Sequence, residues 1–203
     1  MEFALADVTP TERYKLLIGL VIPRPIAWIS TVNEAGVNNC APFSFFNVIG
    51  EEPPLCIVSF NVRSDGRMKH SLKNALRTGE FVVNLVDEQN ANAMQASSAE
   101  LPEEESEFDK AGLTPAPCTL VKHPRIAGAA ASLECRLWKH MPIGPGRDLI
   151  FGEILVVHAR EGVIDPVTKR ISETDYQPVG RLFAARYCTT RHRFNLPGPL
   201  PEE

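Results

Sequence analysis

The sequence predicts a mainly β protein whose antiparallel strands close into a barrel, with a few small helices. Three observations support this prediction. Stretches of strand character recur from residue 26 to residue 160, turns join several of them as hairpins, and the helical stretches between them are short. The sequence has no internal repeat and no linker, so its 203 residues are expected to form one domain with a sizeable core.

The first expected element is a helix over residues 13–19. Thr9-Pro10-Thr11-Glu12 before it is typical of a helix start, with proline near the first helical position. The β-branched stretch 26–32 then predicts a strand, and a turn leads to a return strand at 41–47. Since Pro42 cannot donate a ladder hydrogen bond, the return strand must lie at a sheet edge or break there.

The middle of the chain alternates strands and helices. Residues 55–60 are almost continuously apolar, which predicts a strand that is buried on both faces. Residues 68–77 have apolar positions at helical spacing, and Gly79 is a suitable residue to end that helix. A strand at 81–86 and a short helix at 90–97 follow.

The last part of the chain begins with an acidic, proline-rich excursion over residues 98–124, which is expected to be a solvated surface loop of high mobility. Strand character resumes at 129–141 and 148–160, and the glycine-containing turn between them predicts a hairpin. Residues 175–203 are expected to form a terminal helix or an arm with a proline-rich tail.

Composition argues against several classes of function. The net charge of −4 and a pI near 5.8 disfavour nucleic acid as the main partner. The longest apolar run, residues 16–22, is too short to span a bilayer, and the acidic N-terminus shows no secretory signal. Five widely spaced cysteines without a C-x-x-C motif indicate free thiols in a reducing cytoplasm, with neither a disulfide framework nor a zinc site.

Two stretches carry the candidate binding chemistry. In residues 38–47, asparagine and serine are interleaved with proline and phenylalanine, which suits a flat aromatic ligand with a polar rim. The helix at 68–77 follows Arg63 and Arg67, so its N-terminal amides and these cations could hold a phosphate. The phenylalanines could equally pack in the core, and the basic stretch could be an ordinary surface helix.

Several motifs occur in a fixed order along more than half of the chain: Arg24-Pro25, Ser30-Thr31, Asn39-Cys40-Ala41-Pro42-Phe43-Ser44-Phe45-Phe46-Asn47, Pro53-Pro54, residues 69–74 and residues 79–85. They resemble the flavin reductase-like family with the FMN-binding split-barrel fold, the group that includes flavoredoxin. The resemblance implies a mainly β, antiparallel split β-barrel of Greek-key type, formed by residues 1–203 as a single domain.

The resemblance also implies which residues bind FMN. The phosphate would lie at Lys69-His70-Ser71, and the isoalloxazine ring along residues 39–47, with Ser44, Phe45 and Asn47 near the ring. His70 departs from the aspartate that is usual in the family, which removes a good helix cap and could add a cation. The complete implied set is Arg24, Ser30, Thr31, Asn39, Ala41, Pro42, Ser44, Phe45, Phe46, Asn47, Arg63, Arg67, Lys69, His70, Ser71 and Asn74. No catalytic side chain and no metal ligand is predicted.

The implied function is an FMN-dependent oxidoreductase in which NAD(P)H passes hydride to flavin N5. The acceptor would be free flavin, a ferric chelate or an electron-transfer protein, and a homodimer with the flavin near its interface is implied, with a monooxygenase or electron-transfer protein as a further partner. One alternative is a non-enzymatic FMN-binding electron carrier. Another, suggested by His70, is a split barrel that binds a different planar cofactor such as haem.

Overall fold

The computed structural model describes residues 1–198, so the end of the predicted arm, residues 199–203, lies outside the described residues. The strands are β1 (Ala27–Val32), β2 (Asn38–Phe43), β3 (Phe46–Glu51), β4 (Pro54–Asn61), β5 (Glu80–Leu85), β6 (Pro115–Ala116), β7 (Arg125–Ile126), β8 (Ala131–Gly144), β9 (Arg147–Ala159), β10 (Val179–Arg181) and β11 (Tyr187–Thr189). The helices are α1 (Pro10–Leu20), α2 (His70–Thr78), α3 (Ala91–Ala96) and α4 (Glu107–Lys110).

One antiparallel sheet of seven strands dominates the fold, in the order β2-β1-β5-β8-β9-β4-β3. Its edge strands β2 and β3 follow each other in the chain, with only Ser44 and Phe45 between them. The sheet therefore curls until its edges approach, and the Phe43 and Phe60 ring centroids, from β2 and β4, lie 4.4 Å apart. No ladder joins β2 to β3 among residues 1–198, so the barrel is open along this seam. The mainly antiparallel class with a few small helices is confirmed.

The single return strand predicted at 41–47 is wrong. β2 ends at Phe43, and β3 begins at Phe46 on the opposite edge of the sheet. Pro42 pairs opposite Trp28 within β2, where the unpaired side of an edge strand tolerates a proline. The chain therefore breaks after Pro42, at Ser44 and Phe45.

The main core lies inside the curled sheet. Alternate residues of β4 are buried and the residues between them are half exposed, so the prediction that residues 55–60 are buried on both faces is wrong. Strands approach closely at Gly152, where a Cβ atom would lie 2.4 Å from Phe81 Cζ. The core at this point leaves room only for glycine.

Local signals set the helix ends as predicted. Thr9 and Glu12 form a capping box at the start of α1, in which each side chain accepts a hydrogen bond from the other residue's backbone amide. Gly79 ends α2 with φ of 73°, a conformation that favours glycine. No helix within residues 1–198 is long and apolar enough to cross a bilayer.

The excursion at 98–124 is not the solvated loop that its charge predicts. It contains α4, on which Glu107 and Phe108 are 4% and 1% exposed. Phe108 packs into a second apolar cluster with Trp28 and Met94, so one buried aromatic ring anchors a highly charged segment to the outside of β1.

The predicted C-terminal helix is wrong, whereas the alternative of an arm is closer to the structure. β10 and β11 pair as a short antiparallel hairpin. Backbone hydrogen bonds in both directions between Arg24 and Arg181 hold this hairpin beside the end of α1. The chain thus returns to the seam between β2 and β3.

Candidate functional site

A groove opens beside the break between β2 and β3. It consists of a first cavity of about 300 Å³ and a second cavity of about 330 Å³, which share Tyr14, Pro42 and Ser44. Both volumes lie at the lower end of the range of roughly 300–1,000 Å³ for small-molecule sites. The first cavity extends between α1, α3 and the β10–β11 hairpin, and the second extends along β4 to Asn61 and Arg147.

Phe45 presents an aromatic ring to this groove. The ring is 37% exposed, and its centroid lies 5.9 Å from the guanidinium carbon of Arg24 and 5.3 Å from that of Arg147. Strand register places Arg147, since it pairs opposite Asn61. Neither cavity has an aspartate or glutamate in its lining, so the groove suits a flat ligand with negative charge.

The backbone at the break offers hydrogen-bond donors. Within residues 1–198, the N–H groups of Ser44 and Phe45, which lie between β2 and β3, donate no hydrogen bond. The Phe45 carbonyl accepts a hydrogen bond of 2.8 Å from Ser59 N, which fixes the turn against β4. Fixed, unused amides beside an exposed ring can bind acceptor atoms on the edge of a ligand.

Part of the predicted cofactor set forms a buried network instead of lining the groove. Asn39 Oδ1 accepts hydrogen bonds from Thr31 Oγ1 at 3.1 Å and Ser71 Oγ at 2.9 Å. Asn74 Nδ2 donates to Thr31 Oγ1, and Asn39 Nδ2 donates to Glu107 Oε2 at 2.8 Å. Burial raises the pKa of Glu107. These side chains satisfy one another and hold α2 and α4 against β1 and β2.

The predicted phosphate donors at the start of α2 are paired with protein carboxylates. Lys69 Nζ forms an ion pair with Glu100, and the same carboxylate accepts hydrogen bonds from Ser64 N at 3.2 Å and Ser64 Oγ at 2.6 Å. The contacts with Lys69 and Ser64 lower the pKa of Glu100 to about 2. The acidic excursion thus occupies the place where the sequence predicts a phosphate.

Two other basic residues and His70 lie near this ion pair. Arg63 Nη1 is 3.0 Å from His70 Nε2, and Arg63 Nε is buried without a hydrogen-bond partner. Burial and the Arg63 charge lower the pKa of His70, which disfavours the extra cation that the sequence allowed. Arg67 is exposed and pairs with Asp65 at 2.6 Å.

The remaining predicted residues are buried in the core, exposed on the surface or bonded to backbone carbonyls of neighbouring segments. Arg24 lines the first cavity, and it also donates to backbone carbonyls at the end of α1, so it caps a neighbouring segment, which was one of its two predicted roles. Ser30 is buried and donates to a backbone carbonyl of the excursion. Ala41 packs against the core, Phe46 is buried in it, and Asn47 is exposed on β3.

Sequence reasoning missed Tyr14, Ser59, Asn61 and Arg147. They come from α1, β4 and β9, and only the curled sheet brings them to one groove. A partial signal was present in β4, because Ser59 and Asn61 are polar residues two positions apart on one face of a strand.

Several titratable residues away from the groove form hydrogen bonds with other parts of the protein. His123 and His140 form hydrogen bonds, as predicted for structural histidines. The ligand atoms of Cys118, Glu134 and His158 lie within 4.8 Å of one another, a grouping that could hold a metal ion. Because backbone amides and His158 already donate to the Glu134 carboxylate, we interpret this cluster as a structural anchor.

Comparison with known proteins agrees with this architecture. Residues 19–177 match the model of the flavin reductase like domain. The 2-nitrobenzoate 2-nitroreductase NbaA of Pseudomonas fluorescens is 36% identical with a TM-score of 0.90, covering 100% of this chain and 99% of that one. Nitrilotriacetate monooxygenase component B of Bacillus cereus is 34% identical with a TM-score of 0.91, covering 97% and 98%.

A protein of Shewanella frigidimarina, described as a flavin reductase with a split barrel domain, shares the fold at 22% identity, with a TM-score of 0.82 and coverage of 98% and 99%. The expected split barrel is therefore confirmed, in agreement with the open seam between β2 and β3. The family model covers most of the chain, and the chain belongs to the flavin reductase like family of flavin-related oxidoreductases.

Proposed function

We propose that the protein binds FMN in the groove and is an NAD(P)H-dependent flavin reductase. The observation that supports this most directly is the groove itself, which combines the exposed Phe45 ring, unused amides at Ser44 and Phe45, and Arg147 without any lining carboxylate. When bound, FMN supplies the hydride-accepting centre of the reaction. The chain's own residues then need only to bind and orient the reactants, which agrees with the lack of a predicted catalytic triad or carboxylate pair.

The residues present fit such a cofactor. Phe45 and Tyr14 offer aromatic surface for a flat ring, and the Ser44 and Phe45 amides can donate to its polar edge. Asn61 and Ser59 offer polar groups for a hydroxylated chain. Apart from Tyr14 on α1, these residues stand on β4 or on the fixed turn between β2 and β3, so the site is largely preformed.

We propose that the phosphate binds near the start of α2, at Arg63 and Lys69, which follow the groove residue Asn61 in the chain. The buried Nε of Arg63 supports this proposal, since it has no hydrogen-bond acceptor and lies 3.7 Å from its ion-pair partner Asp65 Oδ2, so that an added anion would supply the acceptor. Lys69 is paired with Glu100 in the structure, so phosphate binding there requires the carboxylate to move away. Thr31, Asn39, Ser71 and Asn74 would then position α2 through their buried network.

The assembly and acceptor belong to the same proposal. The relative named nitrilotriacetate monooxygenase component B supports a partner oxygenase that takes reduced flavin. Exposed apolar side chains at Val48, Ile49 and Trp138 support a homodimer that covers the outer face of the sheet. The free thiols support a reducing compartment, the cytoplasm, and the continuous sheet supports a single domain.

The test is a visible spectrum of the protein after incubation with FMN and desalting, followed by addition of NADH or NADPH under nitrogen. We expect a retained flavin band that bleaches with a nicotinamide. A retained band that bleaches only with dithionite would favour the non-enzymatic electron carrier. The proposal would be contradicted if the protein retained no flavin and also did not turn over free FMN.

A further inference from the structure

The first cavity contains positive charge without a compensating acid. Arg24 and Arg181 both line it, and its lining includes no aspartate or glutamate. Among the ion pairs of residues 1–198, neither arginine has a carboxylate partner. A concave site with unpaired guanidinium groups is one that attracts an anion.

Arg24 contributes a buried charge. Its residue is 7% exposed, its Nη atoms donate to backbone carbonyls of Ile18, Val21 and Leu182, and its Nε atom is buried without a partner. Carbonyl oxygens compensate a cation only in part, and an uncompensated buried charge is costly. A negative group in the cavity would therefore be stabilised by Arg24 even without touching it.

Arg181 contributes donors that a ligand can reach. Its guanidinium stacks on the Tyr187 ring, with 4.6 Å between Cζ and the ring centroid, and it donates to Tyr187 Oη and Ala184 O. A guanidinium carries five N–H donors, so donors remain for a carboxylate or phosphate. Tyr14, Phe183 and Tyr187 give the same cavity aromatic walls.

We propose that the first cavity binds the second substrate of the flavin reductase, a small planar organic anion that carries a carboxylate or a phosphate. This inference rests on the proposed function, because Pro42 and Ser44 connect the first cavity to the second cavity of the groove, where Phe45, Ser59 and Asn61 are assigned to FMN. Arg181 binds the oxyanion directly, the buried Arg24 charge strengthens the binding, and the aromatic walls pack against the planar part. The side chain of Arg181 thereby selects charged substrates over neutral ones of the same shape.

The experiment is calorimetric titration of the full chain, with and without FMN, using benzoate, neutral benzamide and inorganic pyrophosphate as probes. We expect benzoate to bind at least tenfold more tightly than benzamide, and Arg181→Gln to reduce that preference about tenfold. Arg136→Gln is the control, because Arg136 is exposed on β8 and lies outside the cavity lining. Pyrophosphate that displaces benzoate would support the anion site, whereas pyrophosphate that binds more tightly than benzoate would contradict the role of the aromatic walls, since pyrophosphate has no planar part.

Equal affinity for benzoate and benzamide in the unmodified protein would overturn the proposal, as would an Arg181→Gln variant that keeps the full preference. Arg181→Lys, which retains the charge, should keep part of the preference, and a thermal melt of each variant shows whether the hairpin remains folded. Titration without FMN separates this inference from the proposed function. If the unmodified protein does not bind FMN, the flavin site is refuted, whereas if the unmodified protein shows no preference for the anion, only the cavity assignment is refuted.

Discussion

Replacement of Glu134 by glutamine tests how a buried carboxylate holds the loop at residues 119–121 against the sheet. Glu134 on β8 is fully buried, and its carboxylate accepts hydrogen bonds from the backbone amides of Thr119, Leu120 and Val121 at 2.6–2.9 Å. His158 Nε2 lies 2.5 Å from the same carboxylate. A glutamine would keep the shape of the Glu134 side chain, but its N–H₂ group would face backbone N–H donors. At least one of these backbone donors would then lack an acceptor.

The contribution of Glu134 to the free energy of unfolding follows from the pKa shift of its carboxyl group. Burial alone would raise the pKa of Glu134, but the hydrogen bonds from His158 and the backbone amides lower it from 4.5 to about 2. This difference corresponds to about 3 kcal/mol, since each pKa unit is worth about 1.4 kcal/mol. Because the folded state holds the carboxylate more strongly than the unfolded state, this stability is present above pH 4.5 and is lost as the pH falls towards 2.

We therefore expect Glu134→Gln to lower the free energy of unfolding by about 3 kcal/mol at pH 7, measured by urea denaturation. The difference between the two proteins should shrink as the pH falls below 4.5, because the variant has no carboxyl group to titrate there. Glu161→Gln is the control, since Glu161 is exposed, and it should change the stability by less than about 0.5 kcal/mol. A loss below about 1 kcal/mol for Glu134→Gln, or a pH-independent difference, would refute the reasoning.

Other substitutions test the groove and the core. Glu100→Gln removes the carboxylate that is paired with Lys69, so, if Lys69 holds the phosphate as proposed, FMN should bind several-fold more tightly in a fluorescence titration. Phe45→Ala removes the exposed ring between two guanidinium groups and should weaken FMN binding about tenfold in the same titration. Gly152→Ala places a methyl group against Phe81 and should lower the free energy of unfolding by about 1–3 kcal/mol, seen as a lower melting temperature.

Matched controls separate these effects from general damage. Glu104→Gln removes an exposed acid of the same excursion and should leave FMN affinity unchanged. Unchanged or weaker FMN binding in Glu100→Gln would place the phosphate elsewhere, and full FMN affinity in Phe45→Ala would place the ring elsewhere. A Gly152→Ala protein as stable as the original would mean that β9 can shift away from Phe81.

Much of the fold could be predicted because its signals are local. The helix start at Thr9–Glu12 and the helix end at Gly79 depend on residues within one turn of each other, and both were expected. Strand periodicity likewise indicated β1, β4, β5 and the β8–β9 hairpin within a few residues. The ordered motifs from Arg24 to Leu85 indicated the family, which the match over residues 19–177 confirms.

The candidate site was predictable only in part. Pro42, Ser44 and Phe45 do line the groove. Thr31, Asn39 and Ser71 instead form a buried network. That network includes Glu107, which lies in an acidic stretch that the sequence predicts to be exposed to solvent. Arg147 reaches the groove through its pairing with Asn61, which lies more than eighty positions earlier in the chain. Such pairings depend on strand order, and periodicity carries no information about strand order.

The sequence by itself determined β1, β4, β5, the β8–β9 hairpin, the start of α1, the end of α2, the family and the central part of the groove. Hydrophobic periodicity, capping and turn chemistry act between neighbouring residues, which is why these features could be predicted. Only the tertiary structure decided that the chain breaks at Ser44 and Phe45, so that consecutive strands β2 and β3 lie on opposite edges of one curled sheet. That arrangement also decided the pairing of Lys69 with Glu100 and the meeting of Arg24 with Arg181 beside one cavity. These contacts join residues distant in sequence, and burial of the common core is what brings them together.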